Sequence, residues 1–208
     1  MQDAHVRNVS RELPPQAETL ESLRELNRHF LDLVAMRSDD WDSSKRVGLP
    51  REVSGRIAPL SHAQKKAVAN CPYALFDLRF ADEDHWCARL AGEREWNVSD
   101  SVYADENTLQ FVNLALFFAW HVASTGTLAA GLLLGMSEPI CTLFRSATID
   151  CLPDLAATEA ANLTARWSHS SIFWSALMNA GARTNLAALR RIQLSGLQFA
   201  AAARLPSD

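Results

Sequence analysis

The chain has 208 residues, of which 48% are apolar and 21% are charged, and its 20 basic and 24 acidic side chains give a formal net charge of −4. This length allows one large or two small domains, and the composition excludes both a disordered chain and a miniprotein that depends on disulfides. The negative net charge argues against a protein that coats nucleic acid non-specifically, but it leaves local basic patches open.

The first part of the chain predicts a leader followed by a long helix. Residues 1–16 end in Leu13-Pro14-Pro15 and are predicted to be flexible. From Glu18 to about Met36, apolar residues recur at three- and four-residue steps, which predicts an amphipathic core helix. A polar, loop-like segment follows at residues 37–44.

Two short helices and an extended segment are predicted next. Pro50 begins a helix that runs to about Ala58, and the capping box Ser61-His62-Ala63-Gln64 begins another that stops before Pro72. The segment Tyr73–Phe80 alternates between apolar and polar residues, which predicts a short strand or an extended segment.

The acidic run Asp82-Glu83-Asp84 is expected to open a further helix through Trp86 and Leu90 that closes at Ala91-Gly92. Together with His85 the run could also suggest metal ligands, but acidic residues are typical of a helix N-terminus, and we favour that interpretation.

The segment Leu109–Met136 contains no Asp, Glu, Lys or Arg and is long enough to span a bilayer. Polar residues and three glycines interrupt it, no cluster of Lys or Arg flanks it, and Thr125-Gly126-Thr127 is typical of a helix end. We therefore predict a helix buried in a protein or oligomer core, with membrane association as the alternative.

The second half of the chain repeats the plan of the first. Leu26 and Phe30 match Leu114 and Phe118 at an offset of 88, and glycines, an Arg-aromatic pair, a tryptophan and an Ala-Gly pair recur in the same order at offsets of 87 to 89. These matches are Gly48 with Gly135, Arg79-Phe80 with Arg166-Trp167, Trp86 with Trp174, and Ala91-Gly92 with Ala180-Gly181. The repeat predicts two similar units, residues 17–104 and 105–208, that pair as a pseudo-dimer within one chain.

A last helix follows the second unit. Thr184 or Asn185 is expected to cap it, and Leu186, Leu189, Ile192 and Leu197 lie at helical spacing. The charges are unevenly distributed, with 14 basic and 17 acidic residues up to position 104 and only 6 and 7 beyond it. We therefore expect the second half to pack against the first half, another subunit or a partner.

The repeated pattern resembles FlhD, the helical subunit of the bacterial flagellar master regulator FlhD–FlhC. The second unit carries the resemblance in 112–119, 130–136, 155–158 and Arg166-Trp167, and the first unit in residues such as Leu26-Asn27, Val47-Gly48-Leu49, Gln64 and Leu78-Arg79-Phe80. FlhD is a mainly helical homodimer with a helix-turn-helix-like segment, and it acts on DNA together with FlhC. The resemblance implies an all-α fold, a tandem FlhD-like regulator, and an FlhC-like or other protein partner.

Two features depart from that family. Where FlhD has a cysteine that can bridge its dimer, this sequence has Phe76-Asp77 and Leu163-Thr164, so the bridge is not transferred. The second unit also has few basic side chains, which argues against symmetric DNA contact.

Candidate DNA contacts are concentrated in the helix-turn-helix-like stretch from Lys45 to Ala69. Six basic residues stand there against one acid, Glu52, and they are Lys45, Arg46, Arg51, Arg56, Lys65 and Lys66. Arginine and lysine at such positions can bind phosphates and guanine edges. The corresponding second-unit stretch, residues 127–157, has Arg145 against Glu138, Asp150 and Asp154.

Candidate partner contacts are Trp41, which lies in an acidic loop, and the arginines Arg183, Arg190 and Arg191 of the last helix. The remaining tryptophans, Trp86, Trp96, Trp120, Trp167 and Trp174, are predicted to be mostly core by their spacing. An ordinary loop-to-core contact is the alternative for Trp41.

No catalytic motif is recognisable, because the six histidines are scattered and no phosphate-cradling glycine loop is present. Cys71, Cys87, Cys141 and Cys151 lack zinc-site spacing, and no secretory signal is visible, so we expect buried, reduced thiols in the cytoplasm. The sequence thus predicts a non-enzymatic protein without metal or cofactor. It would regulate transcription through a partner with weak or assisted DNA binding, and could assemble further. The alternative is a helical adaptor, associated with secretion or signalling, that does not bind DNA.

Overall fold

The computed structural model describes residues 15–37, 47–90 and 105–202. The predicted leader up to residue 14, Trp41, Lys45, Arg46, Ala91-Gly92 and Trp96 lie outside these ranges. Within them the protein is all-α, as predicted, with ten α-helices and one pair of two-residue strands.

The described helices and strands are numbered here in chain order. In order they are α1 (Ala17–Met36), α2 (Arg51–Ile57), α3 (His62–Ala69), β1 (Phe76–Asp77), α4 (Glu83–Leu90), α5 (Glu106–Thr125), α6 (Thr127–Leu134), α7 (Glu138–Ser146), α8 (Leu152–Glu159), β2 (Thr164–Ala165), α9 (Ser171–Ala182) and α10 (Leu186–Ala202). Single 3-10 turns precede and follow α8, at Ile149–Cys151 and Ala160–Asn162.

Local capping signals set several helix starts where the sequence predicts them. The Ser61 side chain accepts from the Gln64 N–H while the Gln64 side chain accepts from the Ser61 N–H, so the capping box of α3 is confirmed. Asp82 accepts from the His85 N–H at 3.0 Å, which confirms the acidic run as a helix N-terminus. Asn185 accepts from the Ala188 N–H at 3.0 Å and thereby caps α10.

The two long helices α1 and α5 pack against each other at the centre of the molecule. The ring centroids of Phe30 and Phe111 lie 5.8 Å apart, and both side chains are buried. Asn27 is a fully buried polar residue on α1, and its amide donates to the Tyr73 carbonyl at 2.9 Å and accepts from the Leu75 N–H at 2.8 Å. Because both ends of this amide are bonded, it fixes α1 to the β1 segment without an unsatisfied group.

The strands join the two halves of the chain. β1 pairs antiparallel with β2, with Phe76 opposite Ala165 and Asp77 opposite Thr164. The Arg166 N–H also donates to the Leu75 carbonyl at 2.9 Å, and its guanidinium donates to the Leu133 carbonyl at 2.9 Å. Only two residues of the predicted strand Tyr73–Phe80 pair, because α1, α5 and β2 cover the segment and no longer partner strand is present among the described residues.

The order of elements in residues 17–90 recurs in residues 106–182. Each half has, in this order, a long helix, a glycine with positive φ, two short helices, a two-residue strand and a tryptophan helix, and in the second half α6 also stands between the long helix and the glycine. The indole N–H of Trp86 donates to the Arg79 carbonyl and that of Trp174 to the Arg166 carbonyl, each at 2.9 Å. This recurrence supports the proposal, taken up below, that the two halves arose by duplication.

The apolar segment Leu109–Met136 is divided at Gly126, where α5 ends and α6 begins, as the sequence predicts. No single helix among the described residues meets the length and hydropathy expected of a bilayer span. The pair α6 and α7 passes that test together but is bent by 109°.

The last helix packs on the core along the face that its apolar spacing predicts, except at Leu186, since Leu189 is buried and Ile192 and Leu197 are half-buried against the core. Leu189, Gln193, Gly196 and Ala200 are buried, whereas Leu186 is 60% exposed. Gly196 allows α10 to approach the Tyr73 ring closely, and the Gln193 amide donates to the Ala67 carbonyl at 3.2 Å.

The cysteines fall into two environments. Cys71, Cys141 and Cys151 are buried as expected, whereas Cys87 is exposed on α4, so the prediction is wrong for that residue. Burial raises the pKa of the Cys71 thiol from 9.0 to about 12, and hydrogen bonds with Tyr73 and Gln193 offset this in part. Because the folded-state pKa lies above the unfolded value, the contribution to stability is complete below pH 9 and is lost as the pH rises towards 12.

We expect a thiol reagent at pH 8 to modify Cys87 rapidly in the native protein and to leave Cys71 unmodified, because an exposed thiol is accessible and a buried neutral one is not. Absorbance of the released chromophore measures the number of fast thiols, which should fall by one in Cys87→Ser. A fast thiol that persists in Cys87→Ser would contradict the burial of the other three.

Candidate nucleic-acid interface

The helix-turn-helix-like segment consists of α2 and α3, which both pack against α9 of the second half. Val53, Ile57, Leu60 and Val68 are buried and hold the two helices on the core. Since an amphipathic helix turns its polar residues outward, this packing leaves the basic side chains on the outer face.

The predicted basic residues differ in their exposure and in their ion pairing. Arg51, Arg56 and Lys66 are exposed, and the Arg56 guanidinium donates to the Asn179 Oδ1 at 3.0 Å. Lys65 is only 12% exposed, and its Nζ lies 2.9 Å from Asp32 Oδ1. Lys65 therefore neutralises a carboxylate of α1 and does not present a free charge to a nucleic acid.

The predicted partner-binding arginines of the second half lie close to this face. Arg183 directly follows Ala182, whose carbonyl accepts from the Gln64 Nε2 at 2.8 Å, so the end of α9 rests on α3. Arg183, Arg190 and Arg191 are all exposed and make no ion pair with any described residue. Leu186 and Lys66 line one groove of about 400 Å³ between α1, α3 and α10.

We use the term basic surface for Arg51, Arg56 and Lys66 of α2 and α3, and the exposed arginines Arg183 and Arg190 lie on the neighbouring α9–α10 segment. The sequence predicted both sets but assigned them to different partners, because spacing within one helix does not show which helices are adjacent. One available signal was the absence of Asp and Glu from 160–207, a stretch that carries five arginines.

The corresponding surface of the second half has the opposite charge. On α7 and α8 and the turn between them, Arg145 stands among Glu138, Asp150 and Asp154, all exposed. Arg145 also donates to the Cys141 carbonyl and the Thr142 hydroxyl of its own helix. The basic character is therefore confined to one side of the pair of halves.

A basic surface of this kind suits a polyanion. Guanidinium groups donate to phosphate oxygens in a planar fork, and lysine binds them as a point charge. Phosphate contacts fix the orientation of a protein on DNA but read no sequence by themselves.

The protein also has an apolar groove of about 510 Å³, which lies between the start of α9 and the end of α10. Trp167, Ile172 and Phe199 line it, and Ile172 is 84% exposed. Trp86 and Trp174 are fully buried as predicted, whereas Trp120 and Trp167 are half-buried.

The acidic run before α4 does not gather metal ligands. Asp82 pairs with Arg79 at 2.5 Å, and the His85 Nε2 lies 2.8 Å from Glu159 Oε2. Within the described ranges, no group of three or more His, Cys, Asp and Glu residues could hold a metal ion.

Comparison with protein-family models, with curated protein sequences and with solved structures gave no match to this chain. The fold and the basic surface therefore define an all-α protein with a one-sided cationic face.

Proposed function

We propose that this protein is an FlhD-like regulator of transcription that binds DNA weakly through its basic surface and gains affinity from a protein partner. The basic surface is the observation that carries this proposal. Arg51, Arg56 and Lys66 project from two short helices, the element by which helix-turn-helix proteins approach the duplex.

The small number of cations explains why binding should be weak. The slope of log K against log salt concentration is about −0.9 for each phosphate contact, so three contacts give a slope of roughly −3. Non-specific affinities are typically about 10⁻⁴ to 10⁻⁶ M at physiological salt. A partner that adds its own DNA contacts, such as an FlhC-like subunit in the bacterial cytoplasm, would supply the missing affinity.

The arrangement of the two halves agrees with a tandem FlhD-like protein that carries its pseudo-dimer in one chain. Each half contributes one long helix and one strand to the central contact, where α1 packs on α5 and β1 pairs with β2. A surface that is self-complementary in a homodimer can be satisfied in this way by two copies in one chain. Loss of positive charge from α7 and α8 would then leave one copy to contact DNA.

Charge reversal tests the proposal. We expect the variant Arg51→Glu, Arg56→Glu and Lys66→Glu to bind a fluorescent mixed-sequence duplex at least roughly tenfold more weakly than the unmodified chain, because three phosphate contacts become repulsive. Fluorescence anisotropy over a salt series gives both Kd and its salt dependence.

The control Arg145→Glu reverses an exposed arginine on the corresponding surface of the other half and is matched in charge by the single variant Arg56→Glu. The Kd of Arg145→Glu for the duplex should stay within about twofold of the Kd of the unmodified chain. Circular dichroism checks that each protein is folded, and the milder variant with Gln at the three positions should give an intermediate loss. An unmodified chain without salt-dependent binding, or a reversed variant that binds equally well, would reject the proposal.

The groove formed by Trp167, Ile172 and Phe199 favours a second candidate function, that of a helical adaptor that does not bind DNA. Exposed apolar side chains around a concave surface are typical of protein docking sites. In that case the substitution Ile172→Asp should abolish partner capture in the native bacterium, whereas the triple charge reversal should leave both capture and cellular function unchanged.

A further inference from the structure

The corner between α9 and α10, which belongs to the second half, is fixed against the first half's DNA-binding helices. Gln64 and Arg56 donate to Ala182 and Asn179 of α9 at 2.8 and 3.0 Å. A Cβ built on Gly181 would overlap the Val68 side chain, so α9 and α3 are as close as their backbones allow. Because the contact is close, the corner cannot move independently of α3.

The helical geometry of α10 selects which of its arginines face the same side as Lys66. Leu186 and Lys66 line a common groove. Arg190 lies four residues after Leu186 and hence on the same side of the helix, since residues at i and i+4 are stacked. Arg191 is rotated by about 100° further around the axis. Arg183 precedes α10 at the corner itself and is exposed.

Few carboxylates oppose these arginines. The chain has no Asp or Glu between 160 and 202. The two acids that line the groove, Glu21 and Glu25, are each paired with an arginine of α1, Arg24 at 3.3 Å and Arg28 at 2.9 Å. The N-terminus of α10 adds a partial positive charge at the same corner.

We propose that Arg183 and Arg190 bind DNA phosphates as a second contact region, so that one DNA interface is composed of both halves of the chain. This inference rests on the proposed function and extends it from α2 and α3 to the corner of α9 and α10. The interface then comprises five cations, and the expected slope of log K against log salt concentration changes from about −3 to about −4.5.

The test compares three arginines of one region in the anisotropy experiment with the mixed-sequence duplex. The variant Arg183→Glu and Arg190→Glu should weaken binding at least roughly tenfold and reduce the salt slope by about two. Arg191→Glu is the control for the single variant Arg190→Glu, because it makes the same change of charge on the next residue of the same exposed helix. It should change Kd by less than about threefold.

The milder variant with Gln at positions 183 and 190 should reduce the slope similarly without adding negative charge, and circular dichroism confirms that its helices are retained. If the unmodified chain does not bind DNA, both the proposed function and this inference are wrong. If it binds, and reversal on α2 and α3 weakens binding while reversal of Arg183 and Arg190 does not, only the composite interface is wrong. Equal losses in Arg190→Glu and in Arg191→Glu would attribute the effect to net charge and would likewise overturn it.

Discussion

Replacing Glu159 by alanine is expected to lower the free energy of unfolding by about 3 kcal/mol, near the lower end of the range for breaking a buried ion pair. The Glu159 side chain is fully buried at the end of α8, and its Oε2 lies 2.8 Å from His85 Nε2 and accepts from Asn162 Nδ2 at 2.8 Å. Arg89 Nε lies 3.0 Å from Oε1, outside hydrogen-bond geometry, so this contact is ionic. Arg89 is 32% exposed, and water therefore replaces part of its lost partner.

The effect should be specific to this buried carboxylate, which joins α4 of the first half to α8 of the second. Urea unfolding, monitored by circular dichroism, measures the change in the free energy of unfolding. Asp150→Ala removes an exposed carboxylate of the same half and should change stability by no more than about 0.5 kcal/mol. Glu159→Gln should give an intermediate loss. If Glu159→Ala cost no more than Asp150→Ala, the contacts of Glu159 with His85 and Arg89 would not stabilise the packing of the two halves.

The second large effect is expected at Gly196, where α10 crosses the Tyr73 ring. A Cβ on Gly196 would overlap the phenol Oη and ring carbons of Tyr73, which is itself fully buried. Gly196→Ala should therefore destabilise the protein by about 1–3 kcal/mol, because the ring or the helix must shift. Thermal or urea unfolding of the unmodified chain and of Gly196→Ala gives the difference in the free energy of unfolding.

Gly55 offers a matched control with the opposite sign. It lies inside α2, and a Cβ there would meet no atom within 4 Å. Since glycine is less favourable than alanine in a helix interior, Gly55→Ala should stabilise the protein by about 0.5–1 kcal/mol. Equal effects of the two substitutions would show that α10 does not pack on Tyr73 as described.

The parts of the fold that depend on local signals were predictable from the sequence. The periodicity of α1, the capping box of α3, the acidic start of α4 and the break at Gly126 are each encoded within a few residues. The fully buried Trp86 and Trp174 followed from the same spacing arguments.

The remaining features depend on residues that are distant in the sequence. The sequence around Lys65 predicts an exposed lysine, because it does not show that α1 places Asp32 beside the Lys65 side chain. The close packing of α10 on Tyr73, which lies 123 positions before Gly196, is not apparent from the apolar spacing of the helix itself. Leu186, which lies between Arg183 and Arg190 in the sequence, shares a groove with Lys66 only because α9 and α10 pack on α3, which no single-helix pattern encodes.

The most direct test of the basic surface is amide hydrogen exchange of the full chain with and without a mixed-sequence DNA duplex at low salt. We expect slower exchange in peptides that cover residues 51–69 and 183–190, and unchanged exchange in peptides that cover residues 138–157. Protection of 138–157, or no protection in 51–69 at saturating DNA, would contradict the assignment of DNA binding to the basic surface.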